Sequence, residues 1–330
     1  RYKFQDKIVL KLFKYSLLTL IGLLGFLYVN FDSKFNLEKE LIVDVKKGMS
    51  MHDISNLLKS KNLLYSTFFL NQYSKLLGKS TQIKTGEYLV TKNDSMLSLL
   101  DKLSQGEIYY RNVRFKEGST FSELFLLLNQ LDGIINNLEN NPELLIKRVT
   151  GSNYSSMEGI FSPDTYYYKK GDTASSLLLR AYKQQKEELD KLWKTKTPGL
   201  PYKSPEEALT MASIIEKEGV EKKRIAGVFI NRLNAEMRLQ SDPTVIFALG
   251  KNFDGNIRKK DLSLRHPYNT YVNKGLPPGP ISLVSLESIK AALRPEMSSY
   301  YYFVSRGDGT HQFSATLEQH NKAVKEYQLK

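Results

Sequence analysis

The chain runs to 330 residues, 41% hydrophobic and 25% charged; this supports packed cores and, at roughly 150 residues per domain, suggests two domains plus an appendage. Without a single cysteine it can form no disulfide, thiol nucleophile, thiolate metal site or thiol-linked lipid anchor. A formal charge of +13 suits an anionic membrane face or an acidic polymer, whereas the absence of zinc-ligand spacing, of an RNP-type aromatic strand and of any run of five basic residues argues against nucleic acid.

From Tyr15 to Phe31 the chain reads YSLLTLIGLLGFLYVNF, 17 residues without a charge and, at about 1.5 Å per residue, roughly 25 Å long as a helix. Ile8, Val9, Leu10, Leu12 and Phe13 extend the apolar stretch, and Lys11 and Lys14 can snorkel to an interface. Asn30-Phe31-Asp32-Ser33-Lys34 then lacks the small residues of a signal-cleavage site, so residues 1–34 are expected to be a cytoplasmic stub and a single-pass anchor. Arg1, Lys3, Lys7, Lys11 and Lys14 precede the span, and the positive-inside rule places the amino terminus in the cytoplasm and everything after residue 34 outside the cytoplasmic (inner) membrane.

Residues 35–41 read as a charged linker. Val43-Asp44-Val45 is strand-like, Lys47-Gly48-Met49-Ser50 is a turn ending in an N-cap, and Ile54, Leu57 and Leu58 recur at helical spacing. Gly86–Val90 reads as a second strand, and Met96, Leu99, Leu100 and Leu103 as a second helix stopping before Gly106. This unit, residues 35–107, resembles the LysM-like module of cell-wall proteins, which implies a glycan-binding element; a plain spacer is the alternative.

Residues 108–330 form the larger part. Glu158–Tyr168 is an aromatic-rich loop or strand, Ser175–Lys194 a long lysine-rich helix, and Gly307-Asp308-Gly309 a turn between two short strands. Short strands and helices alternate to the end, which argues an α+β fold rather than a doubly wound sheet.

Ser204-Pro205-Glu206-Glu207 opens a helix, because Ser can cap, Pro suits the first position and Glu207 completes an S-x-x-E capping box. The helix stops at Gly219. At about 100° per residue Ala208, Leu209, Met211, Ala212, Ile214 and Ile215 form one broad apolar sector, with Thr210 and Lys217 opposite and Glu216 and Glu218 near its two edges. One reading pairs both glutamates with buried arginines such as Arg224 or Arg232. The other makes one of them a general acid, and then Glu218 is the better placed, since burial and the negative helix C-terminus both raise a carboxyl pKa. Glu216 suits orienting or ion pairing.

Together LPYKSPEEALTMASIIEKEG, VFINRL (Val228–Leu233), MRLQSDPTVIF (Met237–Phe247), YNTYVNKGLPPGPI (Tyr268–Ile281), YYFVSRGDGTHQFSATLEQHN (Tyr301–Asn321) and EGIFSPDTY (Glu158–Tyr166) resemble the endolytic murein transglycosylases of the YceG-like family. The resemblance runs essentially the whole chain and implies a peptidoglycan-cleaving enzyme on the outer face of the cytoplasmic membrane, with peptidoglycan synthases nearby and Glu218 as the catalytic glutamate. Such an enzyme cuts the MurNAc–GlcNAc β-1,4 bond without water. One carboxyl acts first as acid and then as base, closing a 1,6-anhydro ring, whereas ordinary glycosidases hold two carboxylates roughly 5 to 9.5 Å apart. Asp242 and Glu158 would be the second acid if the reaction were hydrolysis. Asn231, Arg232, Gln240, Asp242 and Thr244, with Tyr268, Asn269, Thr270 and Tyr271, are the candidates to hold the sugar. His52, His266, His311 and His320 show no metal-ligand spacing, and no nucleotide loop occurs, so neither a metal nor a cofactor is expected. A non-catalytic LysM-like wall-binding scaffold is the competing reading.

Overall fold

A computed structural model describes residues 2–64, 66–138, 142–151 and 156–328; side chains are described for all of these except 2–10, 28–30, 142 and 143. The basic side chains assigned to the stub at Arg1, Lys3 and Lys7 lie outside the described residues. The chain divides into two compact units, Arg1–Arg111 and Asn112–Lys330.

The first unit comprises α1 (Tyr2–Phe31), β1 (Leu41–Val45), α2 (Met51–Ser60), α3 (Thr67–Leu76), β2 (Gly86–Val90) and α4 (Met96–Gln105). β1 and β2 pair antiparallel, with Val43 opposite Tyr88. Ile54, Leu58, Leu70, Tyr88, Leu99 and Leu103 fill the core between this ribbon and the helices. Ser50 and Asp53 form a reciprocal capping box that starts α2. α3 is an addition to the strand–helix–strand–helix order expected from sequence. Its N-cap Ser66 makes no side-chain cap, and its aromatic TFFL start carries strand rather than helix preference.

α1 exposes Leu12, Phe13, Tyr15, Leu17, Leu18, Leu20, Ile21, Leu23, Leu24 and Phe26, so it is apolar on every side. Its described side chains are those of Lys11 to Leu27 and of Phe31, and among the described residues no helix is long and apolar enough to cross a membrane. The last turn differs from the sequence reading: Phe31 is 3% exposed, stacks on Tyr73 at 4.8 Å and belongs to the core of the module. The expected linker is likewise packed. Phe35 donates its backbone N–H to the Asp94 carbonyl at 2.8 Å, and Phe35 and Leu37 lie against the same core.

After β3 (Arg111–Arg114), which bridges the boundary in sequence, the second unit continues with α5 (Phe121–Asn129), α6 (Pro142–Thr150), β4 (Thr165–Tyr168), α7 (Ala174–Lys194), α8 (Pro205–Glu218), α9 (Lys222–Asn234), α10 (Asp242–Leu249), α11 (Lys259–Leu262), α12 (Leu286–Leu293), β5 (Tyr302–Ser305), β6 (His311–Ser314) and α13 (Leu317–Tyr327). Among the described residues the strands form three two-stranded sheets, β1–β2, β3–β4 and β5–β6, a mixed α+β architecture. β5 and β6 are antiparallel around Gly307-Asp308-Gly309.

α8 is the central helix of this unit, packed on α7, α9, α10 and α12. Ala208 through Ile215 are all buried, Thr210 included, so the polar side expected at Thr210 is instead an interior one. Thr210 and Ser213 remain satisfied by bonding the carbonyls of Glu206 and Thr210. At the start of α8 the Ser204 hydroxyl accepts from the Glu207 N–H, but the Glu207 carboxylate reaches past Ser204 to the Lys203 N–H at 2.6 Å, so the capping box is replaced by a longer reach. α9 approaches the chain before β5 closely enough that a Cβ on Gly227 would lie 2.2 Å from the Glu296 carbonyl oxygen.

Candidate active site

α8 delivers two glutamates two residues apart, and their surroundings differ in the number of donors. Glu216 points to the start of α12. It accepts from the Ser285 N–H at 3.0 Å, the Ser285 and Ser288 hydroxyls at 2.5 and 2.6 Å, and the Lys222 ammonium at 3.0 and 3.1 Å. Burial opposes its charge, but the Ser285, Ser288 and Lys222 donors prevail and the pKa falls below the ordinary value. Glu216 is therefore a carboxylate that ties α8 and α9 to the N-terminus of α12. Its partner is Lys222, while Arg224 pairs with Glu221 and Glu296.

Glu218 ends the helix on a cleft of about 700 Å³. Among the described residues it has one hydrogen-bond donor, the Ser241 hydroxyl, 2.5 Å from Oε1. Burial pushes the carboxyl up to about 7; Asp242 adds to the rise, and the Ser241 hydrogen bond and the Arg232 charge oppose it. The carboxyl keeps a window on the cleft, yet most of its surroundings are protein. The chain then turns away in an extended conformation at Gly219, where a Cβ would come within 2.8 Å of the His311 ring.

Opposite Glu218, Arg232 of α9 is held nearly out of solvent by backbone carbonyls. Its Nε donates to Tyr301 at 2.6 Å and its Nη1 to Leu239 at 2.7 Å, and the guanidinium lies 5.3 Å from the Tyr302 ring centre. No ion pair with Asp242 forms; the Asp242 carboxylate instead accepts from the Tyr271 hydroxyl at 2.5 Å. Between them Gln240 sits at φ 49°, a left-handed conformation costly for a non-glycine residue, and aims Ser241 at Glu218. Ser241 is the N-cap of α10 but makes no cap bond, because its hydroxyl is directed at the glutamate. It is 1% exposed and fixed from behind: its N–H donates to the Thr270 hydroxyl at 3.0 Å, and its carbonyl accepts from the Thr244 hydroxyl at 2.7 Å.

Of the residues singled out from sequence, Glu218, Arg232, Gln240, Asp242 and Tyr271 meet in this cleft. Thr244 and Thr270 stand behind it as the support for Ser241. Asn269 clips the carbonyls of Leu262 and Leu264 at 3.1 and 2.9 Å, shaping the loop that carries Tyr271. Asn231 faces away and bonds the Ser298 and Tyr300 carbonyls, both at 2.8 Å. Tyr268 packs on Phe247 at 4.8 Å. Glu158 lies in a separate small cavity of about 100 Å³, accepting from the Phe121 N–H at the start of α5; burial raises it, also to about 7. Ser241, His311 and His320 were missed. Ser241 stands inside the MRLQSDPTVIF motif but reads there as an ordinary helix cap. The two histidines reach the cleft through the β5–β6 hairpin and α13, a distant stretch of chain. Among the described residues no three His, Asp or Glu side chains gather as metal ligands.

Residues 43–326 match the model of the YceG-like family. The chain belongs to that family. A Bacillus subtilis (strain 168) protein named endolytic murein transglycosylase is 32% identical over 86% of this chain and 84% of its own length. A protein of the same name from Streptococcus pneumoniae serotype 2 (strain D39) is 29% identical over 94% of this chain, which spans 63% of the streptococcal protein. The crystal structure of a YceG-like protein from Listeria monocytogenes matches with a TM-score of 0.52 at 31% identity, over 87% of this chain and all of the other.

Proposed function

We propose that this YceG-like protein is an endolytic murein transglycosylase, and that it cleaves the MurNAc–GlcNAc β-1,4 bond with Glu218 as its single acid and base. The observation that carries this is the Glu218 carboxyl itself: it opens on the large cleft, and burial holds its pKa at about 7, so it can give a proton and take one back near neutral pH. In the first step the Glu218 carboxyl protonates the leaving O4 of GlcNAc as the bond to C1 of MurNAc breaks. In the second the Glu218 carboxylate takes the proton of the MurNAc 6-hydroxyl while O6 bonds to C1, forming the 1,6-anhydro end and restoring the acid. The Ser241 hydroxyl holds Oε1, leaving Oε2 for the sugar. Asp242, engaged by Tyr271, and Arg232 border the space beside it.

The rest of the chain fits action on nascent strands to limit their length. α1, apolar on every side, is read as a single-pass anchor in the cytoplasmic membrane, with its amino terminus inside and the chain after residue 34 outside. The small unit around β1 and β2 is read as a LysM-like, glycan-holding module, and peptidoglycan synthases as neighbours. Glu218→Gln tested on purified peptidoglycan, with products read by mass spectrometry, decides the chemistry. Loss of anhydro ends supports it, while retained anhydro products overturn the assignment of Glu218. Wild-type products with reducing ends would establish hydrolysis instead, for which Asp242, lining the same cleft as Glu218, rather than Glu158 is the candidate second carboxylate.

A further inference from the structure

The anchoring helix and the small unit share an apolar surface that the glycan-cleaving chemistry does not use. Phe26 of α1 meets Phe69 of α3 with ring centres 5.8 Å apart, and Phe69 meets Phe68 at 5.7 Å, both edge to face. Five residues on, Phe31 stacks on Tyr73 inside the module core. The pairs advance in the same direction along both helices, so α1 and α3 run parallel where they touch, and the N-terminal end of α3 points back toward the apolar run. There Phe68 is 62% exposed, Phe69 40% and Phe26 48%. Three neighbouring aromatic rings this exposed beside an apolar helix form a patch that a water-soluble surface does not retain without a use.

The length of the helix says what covers it. Leu27 and Phe31 pack on the module core, so the stretch free to enter lipid ends at Phe26. Counted from Ile8 to Phe26, it is roughly 28 Å long at about 1.5 Å per residue, against about 30 Å of bilayer hydrocarbon. No residues remain to hold the module away from the membrane.

We propose that Phe68 and Phe69, with Phe26, form a membrane-seating surface that holds the first unit directly in the interfacial layer of a lipid bilayer. The proposal rests on the anchor reading of α1. Aromatic rings favour that layer, and the seat restricts the module to the membrane surface and so restricts which part of a glycan strand it can meet.

The full chain has a single tryptophan, which makes the test direct. In a Trp193→Phe background, Phe68→Trp is introduced and the protein reconstituted into phosphatidylcholine/phosphatidylglycerol vesicles carrying acyl chains brominated near the headgroup or near the chain end. Shallow bromines are expected to quench the F68W fluorescence about twofold or more, and deep bromines less, while a Leu76→Trp control at the far end of α3 stays unquenched. Phe69→Trp repeats the measurement should F68W fold poorly. Protein that floats with the vesicles but shows no quenching at position 68 or 69 overturns the seat and leaves the anchor standing. Protein that does not float overturns both.

Discussion

Replacing Ser241 by Ala removes the single donor on Glu218 while leaving the Gln240 backbone and the Thr244–Thr270 pair in place. The bond is 2.5 Å long and, once Glu218 has given up its proton, charge-assisted, so it favours the carboxylate over the acid. Hydrogen bonds to charged groups contribute about 1.5–3 kcal/mol, and about 1.4 kcal/mol corresponds to one pKa unit. The Glu218 pKa, about 7 in the native site, is therefore expected to rise by about one to two units in Ser241→Ala. The first step needs the protonated acid, so native turnover falls as pH rises through about 7, and in the variant this alkaline limb moves upward by the same one to two units. Plateau turnover drops by about tenfold or more, because the weaker acid protonates the leaving oxygen less readily and its carboxyl is no longer fixed. The assay is the rate of anhydro-end formation on purified glycan strands from pH 5 to 9, with circular dichroism confirming the fold. A variant that folds and loses activity but keeps the native alkaline limb would show that Ser241 only supports α10, and the reasoning would fail.

Glu216 should behave in the opposite way. Glu216→Ala leaves Lys222 and the start of α12 without their acceptor and is expected to cost about 3–5 kcal/mol in urea unfolding, while the alkaline limb of the folded fraction stays where it was. Since its folded pKa lies below the ordinary value, the stability it contributes is present above that value and is lost as pH falls through the folded pKa. Glu158 has the reverse sign: with its pKa raised to about 7, it favours folding below the ordinary carboxylate range and ceases to do so as pH rises through about 7. Glu158→Gln should therefore stabilise the protein at pH 8 by about 3 kcal/mol and change little at pH 4, as read by denaturant midpoints at the two pH values.

Features written in short windows of sequence were legible. Ser204-Pro205 and Gly219 bound α8, Ser50 starts α2, and Gly307-Asp308-Gly309 turns the β5–β6 hairpin, because caps and turns depend on residues a few positions apart. What the sequence hid depends on chain distance. One reading of the sequence pairs Glu216 with a buried arginine such as Arg224 or Arg232, but α12 supplies Ser285 and Ser288 from some 70 residues away, and Lys222 completes the set. Asn231 carries a polar amide in a motif and so reads as a sugar ligand, yet it faces two carbonyls of the chain before β5. Ser241 was hidden by its own position, since a serine before Asp-Pro reads as a cap and only the approach of α8 turns its hydroxyl elsewhere.

The two glutamates of α8 show why a buried acid on a helix cannot be assigned from its burial alone. Both suffer the desolvation that disfavours charge, and the outcome turns on the donors that reach each one. Glu216 has two hydroxyls, a backbone N–H and an ammonium, enough to hold the charge in place permanently. Glu218 has one hydroxyl, with Arg232 nearby but committed to carbonyls, so neither protonation state is strongly preferred near neutral pH. A group that must be acid in one step and base in the next needs that near-balance, since a stronger donor set would deny it the proton and complete burial would deny it the charge. Gly219 fits this arrangement structurally: with no Cβ it lets the His311 ring close against the helix end, where both line the cleft beside the Glu218 carboxyl.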